Sequence, residues 1–235
     1  MQKKPRILII TTSAATMTDS DKPTGLWLEE LTTPHYAFLD AGAEVTLASI
    51  AGGKVPVDPN SVKPRGENDP SVERAMQDRV FQTLIGDTLR FDTLDTTGFD
   101  AIMLPGGHGT MFDYPDSRAL AQLVADFDAS GKVVAAVCHG PAGLVSARRA
   151  DGTPVVAGRR VAAFTDSEEQ AVGLADAVPF LLTTRLKKLG AVIEAGPDFE
   201  PFAIRDGNLV TGQNPASAEP IAKLVFEALD EARGA

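Results

Sequence analysis

One cysteine, one tryptophan, two tyrosines and three histidines are all that 235 residues hold of these types. A single thiol excludes any internal disulfide. With histidines only at positions 35, 108 and 139, the chain shows no ligand-spacing motif for a metal, and none is expected. Positive charge is also scarce. Lys and Arg total 22 against 32 Asp and Glu, a net charge of −10. Such a chain is not expected to bind nucleic acid or an anionic membrane surface, and its acidity serves solubility. Apolar runs are short, and none approaches the ~20 residues that span a bilayer. The opening MQKKPRILIITTS has basic residues before an apolar run, but residues 7–10 are too few for the core of a signal peptide. These absences point to a cytosolic protein in a reducing compartment.

Repeats and low-complexity tracts are lacking too. What remains is alternation within one expected domain, residues 1–235. Apolar runs at 6–11, 44–49, 101–104 and 133–137 read as buried strands, with further strands near 160–164, 191–194 and 209–211. Between them, 27–41, 117–129 and 179–189 have helical spacing, and a last helix starts near 216. Pro34 is expected to interrupt or kink the first helix, and Gly42 to end it. Continuous apolar strands separated by helices mean an α/β fold, a doubly wound and mostly parallel sheet with helices on both faces. Active sites of such sheets lie beyond the carboxyl ends of the strands. That rule selects the residues after Thr11, Leu104 and Val137. The proline-rich stretch 54–70 should be an extended surface loop, and 151–158 a turn or hairpin.

The lone thiol sits in AAVCHGPAGL, directly after the strand 133–137. Ala136 and Gly140 let the backbone bend sharply around Cys138, the geometry of a nucleophile elbow. Pro141 suits the first turn of a following helix, whose positive end would favour a reactive thiolate. A free cysteine is commonly a small buried hydrophobe, but strand end, small flanks and adjacent His139 favour the nucleophile. A second glycine-rich turn, LPGGHG, follows the strand 101–104. The amides of Gly107 and His139 could together bind an oxyanion. His108 either contacts substrate or hydrogen-bonds within its turn. Glu29 and Glu30 lie in the first turns of the first helix, where one can face the cleft; acids are favoured there in any case. Asp166, Glu168 and Glu169 cluster where at least one must serve a helix N-terminus. His35 is expected to be structural.

The stretches DAIMLPGGHGTMFDYP, AAVCHGPAGL and LVTGQNPASA, together with TGLWLEELTTPHYAFLDAGAEVTLASIAGG, resemble the ThiJ/PfpI superfamily, which is class I glutamine amidotransferase-like. More closely they resemble its heat-shock-protein, glyoxalase III branch. The resemblance implies a flavodoxin-like fold and a homodimer. It places the nucleophile on Cys138, its histidine on His139, the acid touching the thiol on Glu30, and the acid orienting the histidine on Glu169, with Asp166 and Glu168 as alternatives. It implies conversion of a small 2-oxoaldehyde, methylglyoxal, to D-lactate through a Cys138 hemithioacetal, without glutathione or cofactor. Either Glu30 or His139 could be the proton-transfer base. Other readings are a deglycase or a thiol redox sensor on the same residues, a stress chaperone or holdase that would need an exposed apolar patch, and, ranked lower, a cysteine peptidase. Glutamine hydrolysis ranks lower, because those enzymes use a downstream histidine and none follows His139.

Overall fold

The computed structural model describes residues 4–18 and 22–234. In chain order its elements are β1 (Arg6–Thr11), α1 (Leu28–Asp40), β2 (Glu44–Ser49), α2 (Pro70–Gln77), α3 (Arg79–Gly86), β3 (Leu89–Arg90), β4 (Ala101–Leu104), α4 (Thr110–Asp113), α5 (Arg118–Ala129), β5 (Val133–Val137), β6 (Arg160–Val161), α6 (Asp166–Ala171), α7 (Leu182–Lys188), β7 (Val192–Ile193), β8 (Ala203–Asp206), β9 (Leu209–Gly212) and α8 (Ala218–Gly234). Seven strands form one sheet in the order β3-β2-β1-β4-β5-β9-β8. All neighbours run parallel except β8, which pairs antiparallel with β9 at the edge. This is the expected α/β sheet, covered on both faces.

Alternation along the strands builds two cores. Leu8, Ile10, Ile102, Leu104, Val134 and Ala136 face one side, with Leu120, Val124 and Phe127 of α5. Ile7, Ile9, Met103, Val133, Ala135 and Val137 face the other, with Leu31 and Phe38 of α1 and Ile221, Val225 and Leu229 of α8. Each large side chain so buried contributes ~1.5–3 kcal/mol relative to exposure. Register fixes the site: Leu104 lies opposite Ala136, and Val137 opposite Gly212. The turns after β1, β4 and β5 therefore converge.

Several local expectations need correction. Pro34 does not break α1, which runs unbroken across it. Proline cannot donate to the carbonyl of Glu30, but Leu31, Thr32, His35 and Phe38 are buried around it and hold the helix in place. The segment 54–70 is the expected loop, with one short 3-10 turn at Pro59–Ser61. Leu26 N–H donates to Pro56 O at 2.8 Å and Asp58 N–H to Leu26 O at 2.9 Å, so it braces the chain entering α1. Residues 70–86 form two helices that hydropathy did not reveal, although their starts were written as Asp-Pro and Asp-Arg-Val. Asp69 accepts from Ser71 N–H and Asp78 from Val80 and Phe81 N–H. The strand near 160–164 shrinks to β6 and pairs with β7 in a separate two-stranded sheet. Segment 151–158 forms turns, one of the two forms expected, beside an antiparallel bridge between Arg148 and Pro154. Among the described residues no helix is long and apolar enough to cross a membrane.

Candidate active site

Cys138 has φ 58°, a left-handed conformation that a side chain rarely adopts. The elbow is clamped on both sides. Cys138 N–H donates to Gly212 O at 2.9 Å, and Phe164 N–H donates to Cys138 O at 2.9 Å. The two glycine turns interlock beside it. A Cβ on Gly106 would stand 2.6 Å from Val137 O, 2.7 Å from His139 N and 2.8 Å from Glu30 Oε2. Strain of this kind persists only where surrounding contacts over-determine it. After the elbow comes a five-residue 3-10 turn, Gly140–Leu144, not the α-helix start that the sequence suggested.

The amides of Gly107 and His139 are both directed at the sulfur. His139 Nδ1 lies 3.3 Å from Cys138 Sγ. On the other side stands Glu30, fully buried, with Oε2 accepting Gly106 N–H at 2.8 Å. Glu30 Oε1 has no well-aligned partner, and its polar neighbour is the Cys138 thiol. Glu29, one residue earlier, points outward and is half-buried. Burial pushes the Glu30 carboxyl up to about 8, against the opposing pull of Gly106 N–H and Cys138. Burial, and then the Glu30 carboxyl, hold the thiol well above its ordinary value. Burial thus works against the thiolate that the elbow was expected to favour. Desolvation outweighs the two amides, and the turn that follows the sulfur is a short 3-10 segment rather than an α-helix.

Three acids competed for the histidine. Glu169 meets it: Oε2 lies 2.7 Å from His139 Nε2. Its other oxygen lies 2.8 Å from His108 Nε2. Burial opposes ionisation of Glu169, but the hydrogen bonds from His108 and His139 overcome it and bring the carboxyl down to about 2. An ionised Glu169 takes a proton-bearing Nε2 from His139 and leaves the Nδ1 lone pair facing the sulfur. Burial, then His108, hold His139 down at about 4, so the ring is neutral. Glu168 is spent elsewhere: it accepts Thr165 N–H, Phe199 N–H, Gln213 Nε2 and Asn214 Nδ2, tying α6 to the turn after β9. Asp166 accepts from Thr183 and Thr184 hydroxyls at the start of α7. His35 is buried edge-on against Tyr36 and Phe81, as expected of a structural residue.

The sequence reading missed two contributors. Gly106 supplies the amide that orients Glu30, and Phe164 packs its ring 4.5 Å from that of His139. The PGG run was the available signal for the first; nothing in the sequence marked the second. It also could not foresee that His108, His139 and Glu169 bring ligand atoms within 4.8 Å of one another, a set whose residue types could hold a divalent cation. They come from three separate strand ends, so no spacing motif announces them. Beside His108 opens a cavity of about 390 Å³, also lined by Met17, Trp27, Asp58, Val172 and Leu174.

Comparison with known proteins shows what the whole chain resembles. Glyoxalase 3 of Candida albicans is 32% identical over 233 residues, 95% of this chain and 98% of that protein. A glutathione-independent glyoxalase of Saccharomyces cerevisiae is 31% identical over 241 residues, 97% of this chain and 99% of its own length. The crystal structure of the Candida albicans glyoxalase III superposes with a TM-score of 0.86 at 30% identity, covering 95% of this chain and 97% of that one. The Rapid Encystment Protein 24 KDa of Francisella tularensis superposes with a TM-score of 0.92 at 34% identity, covering 96% and 99%. With residues 24–228 matching the family profile as well, the chain belongs to the DJ-1/PfpI family.

Proposed function

We infer that this protein is a glutathione-independent glyoxalase that converts methylglyoxal and water to D-lactate. The observation that carries the reading is the sulfur of Cys138 held between the Glu30 carboxyl and His139 Nδ1, with two amides on it. Full-length likeness to glyoxalases supports it.

The steps follow from the protonation states. His139 Nδ1 takes the thiol proton as sulfur adds to the aldehyde carbon. The amides of Gly107 and His139 hold the oxyanion that forms. Neutral Glu30 gives that oxygen a proton and becomes a carboxylate. The carboxylate then removes the hydrogen from C1, and the protonated His139 neutralises the oxygen on C2, giving an enediol. Glu30 delivers its proton to C2 and takes the proton of the C1 hydroxyl, leaving a lactyl thioester. His139 next activates water. Attack at the thioester carbon releases lactic acid, and the sulfur recovers a proton from His139. A carboxyl poised near 8 suits repeated donation and uptake close to neutral pH. The decisive assay is glutathione-free turnover of methylglyoxal, with the lactate enantiomer identified by a stereospecific dehydrogenase. Formation of L-lactate, or of none, overturns the reading.

Two further results are expected. Because Glu30 must start protonated, kcat/KM should hold level below about pH 8 and fall about tenfold per unit above it. A pH profile in constant ionic strength checks this, and the residual activity of Glu30→Gln should lack the alkaline fall. Glu169→Ala removes the anchor of His139 Nε2 and should lower kcat ~10²-fold with little change in KM. Steady-state kinetics alongside far-UV circular dichroism separates this loss from unfolding.

A further inference from the structure

The cavity beside the site is too large for methylglyoxal alone. Its volume, about 390 Å³, falls within the ~300–1,000 Å³ of pockets that enclose drug-sized ligands. Methylglyoxal has five non-hydrogen atoms. The walls are mainly apolar: Met17, Pro23, Trp27, Val172 and Leu174. Of the polar residues, Lys22 is exposed, and the others are largely committed. Asp58 accepts from Asn60 N–H, Asn60 Nδ2 and Thr24 Oγ1. His108 has its Nε2 on Glu169. The cavity borders the reacting groups through His108. The His108 ring lies 4.1 Å from that of His139, which is itself beside Cys138. Trp27 N–H donates to Gly106 O at 3.2 Å, next to the amide that holds Glu30. Val172 is 44% exposed, so one wall is open to solvent.

We propose that this cavity receives the substituent of 2-oxoaldehydes larger than methylglyoxal, and that the protein prefers substrates carrying an extended apolar group on the ketone carbon. The proposal rests on the glyoxalase reading and extends it. The aldehyde carbon stays at the sulfur. Only the group on the far side of the ketone grows, toward His108, Trp27 and Leu174. The bond-making steps are unchanged, so the gain appears in substrate capture.

The test is a series of methyl-, propyl- and pentylglyoxal assayed on the wild-type protein. Burial of each methylene should raise kcat/KM up to ~4-fold, mostly through KM, until the cavity is filled. In Leu174→Asp the ratio of pentyl- to methylglyoxal kcat/KM should fall at least fivefold. A flat or declining series on the wild type overturns the proposal, as does an unchanged pentyl-to-methylglyoxal ratio in Leu174→Asp. If methylglyoxal is turned over in either case, the glyoxalase reading survives. If no member of the series yields a 2-hydroxy acid, that reading itself fails.

Discussion

Cys138→Ala should abolish lactate formation from methylglyoxal, lowering kcat/KM by ~10⁴-fold or more to the level of the uncatalysed reaction. No other group can replace the sulfur. The chain has no second cysteine, and the neighbouring His139 Nδ1 is placed to accept the thiol proton rather than to attack a carbonyl. Cys138→Ser should be similarly inactive, because a hydroxyl is harder still to ionise in a site that already holds the thiol above its ordinary value. The fold should survive either change. The elbow is held through backbone hydrogen bonds to Gly212 and from Phe164, which no side chain supplies. Thermal unfolding within a few degrees of wild type, with no detectable lactate, is the expected pair of results. Full turnover by Cys138→Ala would overturn the mechanism. Suppression of client aggregation by the same variant, if present, would belong to a surface separate from the thiol.

Glu30→Gln should lower kcat ~10³-fold while KM changes little, since an amide fills the same space but cannot carry a proton between C1 and C2. The amide oxygen can still accept Gly106 N–H, so the loss reports proton transfer rather than collapse of the turn. A second measurement makes the prediction sharper. In the folded protein Glu30 keeps its proton up to about pH 8, whereas its ordinary value is 4.5. Between those values the folded state binds more protons than the unfolded chain, so this group lowers stability as pH rises through the window. Glutamine removes that dependence. The variant should therefore gain stability relative to wild type at pH 9 compared with pH 5, as urea denaturation at the two values would show. An inactive variant that is also more stable at alkaline pH is the signature of a strained functional carboxyl. An equal stability difference at both values would mean that Glu30 is not buried as a neutral acid.

Much of this was legible in the chain. Continuous apolar runs at β1, β4 and β5 are strands because both their faces are buried. That pattern is local, so it survives without coordinates. Helices α2 and α3 were harder to read, because of their few residues only Val72, Ala75 and Phe81 are buried and most of their length is exposed. The elbow at Cys138 was readable for the same reason as the strands: its bend depends on the residues immediately around it. The glycine-rich turn pointed to Gly107, and family likeness carried Glu30, Glu169 and His139 to positions that the fold brings together.

The sequence by itself determined the alternation of elements, the place of the lone thiol at a strand end and the small residues that let the chain turn there, because these depend on neighbours in the chain. Tertiary structure alone decided which acid of Asp166, Glu168 and Glu169 reaches His139, that His108 shares that same carboxylate, and that burial holds the thiol above its ordinary value. Each of those outcomes depends on the distance between strand ends far apart in sequence, and on how completely their convergence excludes water from the charges it gathers.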